Sequence, residues 1–165
     1  MKTSIKTMTV TFQLNGEAKH WIIAPGDILL DVLRREGYVG AKRGCETGAC
    51  GACTVLVNGK PVDACLMFAG QAEGKEILTI EGLAQGDTLH PLQEAFLDHG
   101  AVQCGYCTPG MILNAKAFLD HHPEPAEGDV REMLSGNLCR CTGYTKPVEA
   151  VMSCTTAPPH SRRLK

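Results

Sequence analysis

Residues 45–53 read CETGACGAC, a stretch in which three cysteines fall within nine positions and all but two of the remaining residues are Gly or Ala. Cys65 follows, so the four cysteines have the spacing C-x4-C-x2-C-x11-C. Small residues leave space for backbone N–H groups to approach sulfur, and glycine tolerates the positive φ angles that a tight loop needs. The stretch therefore predicts a compact loop that holds an anionic centre through thiolates.

The spacing of Cys45, Cys50, Cys53 and Cys65 is typical of a [2Fe–2S] cluster of the plant ferredoxin type. A structural zinc site is the alternative, because zinc also gathers four thiolates. Zinc ligands usually come as paired short knuckles, and the wide first gap with its small-residue loop fits that pattern poorly. We therefore predict that these four cysteines bind a first [2Fe–2S] cluster.

A second set comprises Cys104, Cys107, Cys139 and Cys141, with the spacing C-x2-C-x31-C-x-C. Each pair precedes a predicted helix, and helix N-termini stabilise negative charge through their free N–H groups. Four thiolates around a second [2Fe–2S] cluster or around zinc carry similar charge, so both stay open on the residues alone. The ninth cysteine, Cys154, has no spaced partner and is predicted to be a free thiol.

The segments on either side of the first loop predict a small sheet. Alternating polarity indicates strands that meet in hairpins at Asn15-Gly16 and Asn58-Gly59, and EILTIE at 76–81 indicates a closing strand. Asp27 is the predicted N-cap of a helix over 28–35. Two hairpins, a helix between them and a closing strand indicate a β-grasp, ferredoxin-like domain over residues 1–82.

The second half has helical periodicity and no strand signal. We predict helices over 90–99, 108–119, 129–134 and 146–152, with Thr108 as the N-cap of the second and Asp129 at the start of the third. These helices predict a four-helix bundle over 83–155, followed by a flexible tail over 156–165. The predicted fold class is therefore α+β, with one set of cysteines in each half.

Composition excludes several classes of function. The net charge of -2 favours neither nucleic acid nor an anionic membrane as a partner. No apolar run reaches the roughly 20 residues of a membrane span, and the first residues lack the pattern of a secretory signal. A cytoplasmic protein is therefore expected, and in a reducing compartment nine cysteines favour metal or redox chemistry over disulfides.

Four segments together resemble the small iron–sulfur subunit of the xanthine oxidase family of molybdenum hydroxylases. They are GCETGACGACTVLVNGKPVDAC, IEGLA, GAVQCGYCTPGMIL and SGNLCRCTGY. The resemblance covers nearly everything from about residue 8 to 153, and two cluster motifs in this order are highly specific. Members include xanthine dehydrogenases, carbon monoxide dehydrogenases, nicotinate dehydrogenases and 4-hydroxybenzoyl-CoA reductases. The family combines a β-grasp domain with a helical bundle, and the chain looks like the small member of a three-subunit bacterial complex.

The resemblance implies an oxidoreductase subunit that carries electrons and has no catalytic residue or substrate site of its own. A large partner subunit would hold molybdopterin and a medium one FAD. The second cluster would lie nearer the molybdopterin, with Gln103 and Cys141 approaching that cofactor, and the first cluster nearer the flavin. A xanthine dehydrogenase-like or related N-heterocycle hydroxylase is the preferred complex. Lys146-Pro147 departs from the family pattern and leaves the start of the last helix open.

Two other classes of function compete with this prediction. In a zinc-stabilised binding adaptor, all eight spaced cysteines would be structural. A free-standing ferredoxin would serve many partners, but such proteins tend to be strongly acidic, and a net charge of -2 provides little electrostatic steering.

Overall fold

The computed structural model describes residues 6–155, and the predicted tail over 156–165 lies outside these residues. Its sheet has five strands in the order β2-β1-β5-β3-β4. The strands are β1 Met8–Leu14, β2 Glu17–Ile23, β3 Thr54–Val57, β4 Lys60–Asp63 and β5 Glu76–Leu78. β5 runs parallel to β1 and antiparallel to β3, so the closing strand joins the two hairpins into one mixed sheet.

Both predicted hairpins are confirmed. β1 and β2 pair from Met8↔Ile23 to Leu14↔Glu17, and β3 and β4 pair from Thr54↔Asp63 to Val57↔Lys60. Each turn has two residues with positive φ, Asn15 and Gly16 in the first hairpin and Asn58 and Gly59 in the second. Such turns match the right-handed twist of the strands that they connect.

Five α-helices complete the described part of the chain: α1 Leu29–Arg35, α2 Pro91–Asp98, α3 Thr108–His121, α4 Glu127–Leu134 and α5 Thr145–Ser153. α1 lies between the hairpins and buries Leu29, Leu30, Val32 and Leu33 in the core of the N-terminal half. In the C-terminal half, α2 contacts α3 and α5, and α4 contacts α3 and α5. Within residues 6–155, no helix combines the length and apolar character needed to cross a membrane.

β3 is buried on both faces, which connects the two halves. Val55 and Val57 belong to the core beneath α1, whereas Leu56 points the other way into the core of the C-terminal helices. α3 supplies that second contact, because it packs against β3 and β4. The continuous apolar run of β3 is therefore explained by a sheet covered on both sides.

Two predicted details in the N-terminal half are wrong. Asp27 does not cap α1, since Ile28 occupies the N-cap without a side-chain hydrogen bond. Asp27 Oδ2 instead accepts a hydrogen bond from Ala24 N at 3.1 Å and closes the preceding turn. The closing strand ends at Leu78, not at 81, because Asn15 Oδ1 accepts a hydrogen bond from Thr79 N at 2.8 Å and the chain then enters a 3₁₀ turn over Ile80–Gly82.

Two helix starts in the C-terminal half also differ from prediction. α3 has Cys107 at its N-cap and Thr108 as its first residue. α4 begins two residues before Asp129, whose Oδ2 accepts a hydrogen bond from Ala126 N at 2.9 Å. A carboxylate in the first helical turn can satisfy a free N–H there as well as an N-cap can, which is why the residue type alone misplaced the start. α5 begins at Thr145, and Pro147 is tolerated because it lies in the first turn.

Candidate metal centres

The first loop presents Cys45 to surrounding backbone amides. Its Sγ accepts hydrogen bonds from Thr47 N at 3.5 Å and from Ala49 N at 3.3 Å. Hydrogen bonding from Thr47, with further bonds from Cys50 and Ala49, lowers the pKa of the Cys45 thiol to about 6. Hydrogen bonds to the charged form favour it, so the loop is arranged for a thiolate at this position.

Small residues are required where the loop folds back on itself. A Cβ added to Gly44 would lie 2.6 Å from Cys50 Sγ, closer than real side chains approach. Arg43 forms ion pairs with Asp31 of α1 and with Glu46, which attach the loop to the helix beside it. The close approach at Gly44 brings Cys50 next to Cys45, where its side chain helps to lower the pKa of the Cys45 thiol.

Cys53 and Cys65 form the other pair in the N-terminal half. Cys53 directly precedes β3 and Cys65 lies two residues beyond the end of β4, so the antiparallel pairing Thr54↔Asp63 brings them together. The two thiols are close enough for Cys65 to influence the pKa of Cys53, and Cys53 Sγ lies 3.5 Å from Asp63 Oδ1. Burial of Cys53 raises its pKa to about 12. A bound cation would remove this penalty, because a coordinating thiol is deprotonated by the metal.

The second set also converges, from two separate segments. Cys104 lies in the loop before α3, Cys107 is the N-cap of α3, and Cys139 and Cys141 lie between α4 and α5. Cys141 Sγ is 3.6 Å from Cys104 Sγ, and Cys139 is close enough to Cys107 to influence its pKa. Burial raises the pKa of Cys107 to about 12. Cys139 Sγ accepts hydrogen bonds from Thr142 N at 3.4 Å and from Thr142 Oγ1 at 3.2 Å.

The two pairs of the second set differ in exposure. Cys107 is buried and Cys139 partly buried, whereas Cys104 and Cys141 are exposed. Gln103, beside Cys104, is exposed as well. One edge of this site therefore lies at the protein surface, and the other is enclosed by α3.

Both sets form pairs, and this arrangement suits a two-iron centre. A [2Fe–2S] cluster takes two protein ligands on each iron, whereas structural zinc gathers four ligands around one ion. The arrangement therefore fits one two-iron cluster in each set. The pairs are Cys45–Cys50 and Cys53–Cys65 in the first set, and Cys104–Cys141 and Cys107–Cys139 in the second.

Comparisons with known proteins agree with this geometry. Residues 12–84 match a family described as a 2Fe-2S iron-sulfur cluster binding domain, and residues 79–152 match a [2Fe-2S] binding domain. The chain is 52% identical to the nicotinate dehydrogenase small FeS subunit of Eubacterium barkeri, over 87% of this chain and 92% of that protein. It is 46% identical to the xanthine dehydrogenase iron-sulfur-binding subunit of Escherichia coli O157:H7, over 90% of this chain and 95% of the relative.

The chain belongs to the small iron–sulfur subunits of the xanthine oxidase family. A solved structure of quinoline 2-oxidoreductase from Pseudomonas putida 86 superposes on this iron–sulfur subunit with a TM-score of 0.87 and 45% identity. The match covers 89% of this chain and 91% of the solved one. Both matched family descriptions name [2Fe-2S] binding, which favours clusters over the zinc alternative in each half of the subunit.

Several side chains around the centres of this iron–sulfur subunit were not identified from its sequence. Tyr106 Oη donates to Arg43 O at 2.6 Å and so joins the loop of the second set to that of the first. Tyr144 Oη accepts a hydrogen bond from Cys139 N at 2.8 Å. Asn137 is buried between the two halves. In a sequence, polar residues in glycine-containing loops indicate turns, so no local pattern distinguishes the residues that make these contacts.

Proposed function

We propose that this chain is the electron-transfer subunit of a cytoplasmic molybdenum–flavin hydroxylase. Cys45, Cys50, Cys53 and Cys65 would hold one [2Fe–2S] cluster, and Cys104, Cys107, Cys139 and Cys141 the other. Each cluster, when bound, accepts and releases one electron at a time. Substrate oxidation in a large molybdopterin subunit releases two electrons and reduction of FAD in a medium subunit consumes two, so two single transfers through this chain balance each turnover.

The observation that carries this proposal is the pairing of the eight cysteines in two adjacent sites. The sites lie in the two matched regions of the chain, and a backbone hydrogen bond of 2.9 Å from Leu138 N to Cys50 O joins them directly. We assign residues 1–82 to a β-grasp domain and residues 83–155 to a four-helix-bundle domain.

The exposed edge of the second site is the proposed contact with the molybdopterin subunit. Gln103, Cys104 and Cys141 are exposed there, and Tyr106 and Leu138 add apolar surface, being 47% and 55% exposed. Aromatic residues are enriched, and charged residues depleted, in the core of protein interfaces. Gln103 and Cys141 would approach the molybdopterin across this surface.

We further propose an N-heterocycle as the substrate of the complex. The supporting observation is that the relatives named above are a nicotinate dehydrogenase subunit, a xanthine dehydrogenase subunit and a quinoline oxidoreductase chain. Aldehyde oxidoreductases also resemble the chain, at 46% identity in Megalodesulfovibrio gigas. The test is turnover of the purified complex on nicotinate, xanthine, quinoline and an aldehyde. Activity on the aldehyde alone would contradict the proposed substrate class.

Cysteine variants of the complex test the clusters themselves. Two clusters require about four irons per chain and two distinct paramagnetic signals after full reduction. Cys65→Ser and Cys107→Ser should each remove one signal, a different one in each variant. Cys154→Ser is the matched control, because this half-buried thiol lies against Pro91 O and belongs to neither set. A complex with zinc and no iron, or loss of a signal in the control, would contradict the assignment.

A further inference from the structure

Asn137 is a buried polar side chain at the junction of the two halves. Its residue is 1% exposed, and its side chain is fully hydrogen-bonded. Asn137 Nδ2 donates to Gly51 O at 2.9 Å, in the loop of the first set. Asn137 Oδ1 accepts from Asn114 Nδ2 at 2.8 Å, within the C-terminal half. The amide therefore uses its donor across the junction and its acceptor inside its own half.

The surroundings leave little freedom for this contact. Asn137 Nδ2 also lies 3.4 Å from Thr54 Oγ1, whose hydroxyl donates to Gly51 O at 2.7 Å. A Cβ at Gly110 of α3 would lie 2.3 Å from the same Gly51 oxygen, so the helix touches the loop backbone. Burying an amide is unfavourable unless all its hydrogen bonds are made. The network is therefore satisfied in one relative placement of the two halves.

The position of Asn137 relates this placement to the proposed clusters. Gly51 lies next to Cys50, and Asn137 lies two residues before Cys139. The adjacent residue, Leu138, donates its N–H to Cys50 O at 2.9 Å. The side-chain and backbone contacts thus join a ligand-bearing loop of one site to a ligand-bearing loop of the other.

We propose that Asn137 is a positioning residue that sets the distance and orientation between the two cluster sites. The inference rests on the proposed function, because it requires a cluster in each site. A single buried polar group is an attested way to specify register between packed elements. An apolar residue of similar size could fill the space, but it would leave Gly51 O without its Asn137 donor and would not select one placement.

The test uses the purified complex with the variants Asn137→Asp and Asn114→Ala. Asn137→Asp keeps an acceptor for Asn114 but replaces the donor that faces Gly51 O with a carboxylate oxygen. Asn114→Ala is the matched control, because it removes the partner of Asn137 Oδ1 and leaves the contact with Gly51. The measurement is the magnetic splitting between the two fully reduced clusters at low temperature, together with iron content. Dipolar splitting falls with the cube of the separation, so it reports the placement and not merely the presence of the clusters.

We expect Asn137→Asp to retain its iron and both signals while the splitting becomes smaller, and Asn114→Ala to keep the wild-type splitting. An unchanged splitting in Asn137→Asp, or an equal decrease in both variants, would overturn the inference. If Asn137→Asp lost iron, the variant Asn137→Ser, whose side chain is smaller and uncharged, would replace it in the test. Loss of iron in Asn137→Ser as well would show that Asn137 is needed for folding and would also overturn the inference. Failure of the proposed function would be distinguishable, since the wild-type complex would then lack two iron–sulfur signals.

Discussion

Replacing Gly51 with alanine should destabilise the chain roughly twice as much as the same replacement at Gly86. Both glycines have positive φ, +65° at Gly51 and +58° at Gly86. A Cβ at Gly86 would meet nothing within 4 Å, whereas one at Gly51 would lie 2.4 Å from both Asn137 Nδ2 and Gly136 O. The pair of variants therefore separates backbone strain from the close approach of the two halves.

The magnitudes follow from these contacts. A left-handed backbone conformation costs an alanine about 1 to 2 kcal/mol, which is the whole effect expected at Gly86. At Gly51 the added Cβ must also displace the Asn137 amide, and an unsatisfied buried polar group costs about 1 to 3 kcal/mol more. Gly136 O is backbone and cannot rotate away. We therefore expect a total of about 2 to 5 kcal/mol for Gly51→Ala.

Thermal unfolding of the full chain measures the difference. For a chain of this length, each kcal/mol lowers the melting temperature by about 2 to 4 °C. Gly86→Ala should therefore melt a few degrees below wild type, and Gly51→Ala roughly 4 to 20 °C below. Visible absorption of the clusters, followed in the same scan, should bleach earlier in Gly51→Ala. Equal melting temperatures for the two variants would refute the reasoning, because they would show that the Gly51 contact carries no stability.

Three further predictions concern other parts of the fold. Leu56→Ala should lower the free energy of unfolding in denaturant by about 2 to 5 kcal/mol, because this β3 side chain is 2% exposed in the core of the C-terminal helices. The control Leu66→Ala changes a 56% exposed side chain and should lower that free energy by less than about 0.5 kcal/mol. Thr142→Val removes a hydroxyl hydrogen bond to Cys139 Sγ and should make the reduction potential of one cluster more negative in a redox titration. The control Ser135→Ala removes only a hydroxyl hydrogen bond to Glu132 O and should leave both potentials unchanged. Burial lowers the pKa of His90, and its neutral Nδ1 accepts a hydrogen bond from Leu92 N at the start of α2. The contribution of neutral His90 to folding stability is therefore fully present above about pH 6.5, and it is lost as pH falls through the lower pKa of the folded state. His90→Asn should flatten that pH dependence, and an unchanged slope would contradict it.

Predictions that depend on local chemistry succeeded. Asn-Gly pairs supply the positive φ angles of two-residue turns, so both hairpins could be read directly from the chain. The helix between them follows from apolar spacing, because Leu29, Val32 and Leu33 fall on one face. The predicted helix starts were less accurate. Asp27 closes a turn before α1, whereas Asp129 lies inside α4 and accepts a hydrogen bond from Ala126 N. A carboxylate satisfies free N–H groups in either place, so residue type does not distinguish them.

Neighbours along the chain account for the two sets of four cysteines, the turn residues of the sheet and the small residues around the first loop, so these features follow from the sequence alone. Three other features depend on how distant segments pack: α3 covers the second face of β3, the cysteines meet in pairs, and Asn137 reaches Gly51 across 86 positions. Contacts between residues so far apart in sequence form when helices and strands pack together. The partners are selected by complementary shape and by the need to satisfy buried hydrogen-bonding groups, and the spacing of residues along the chain specifies neither.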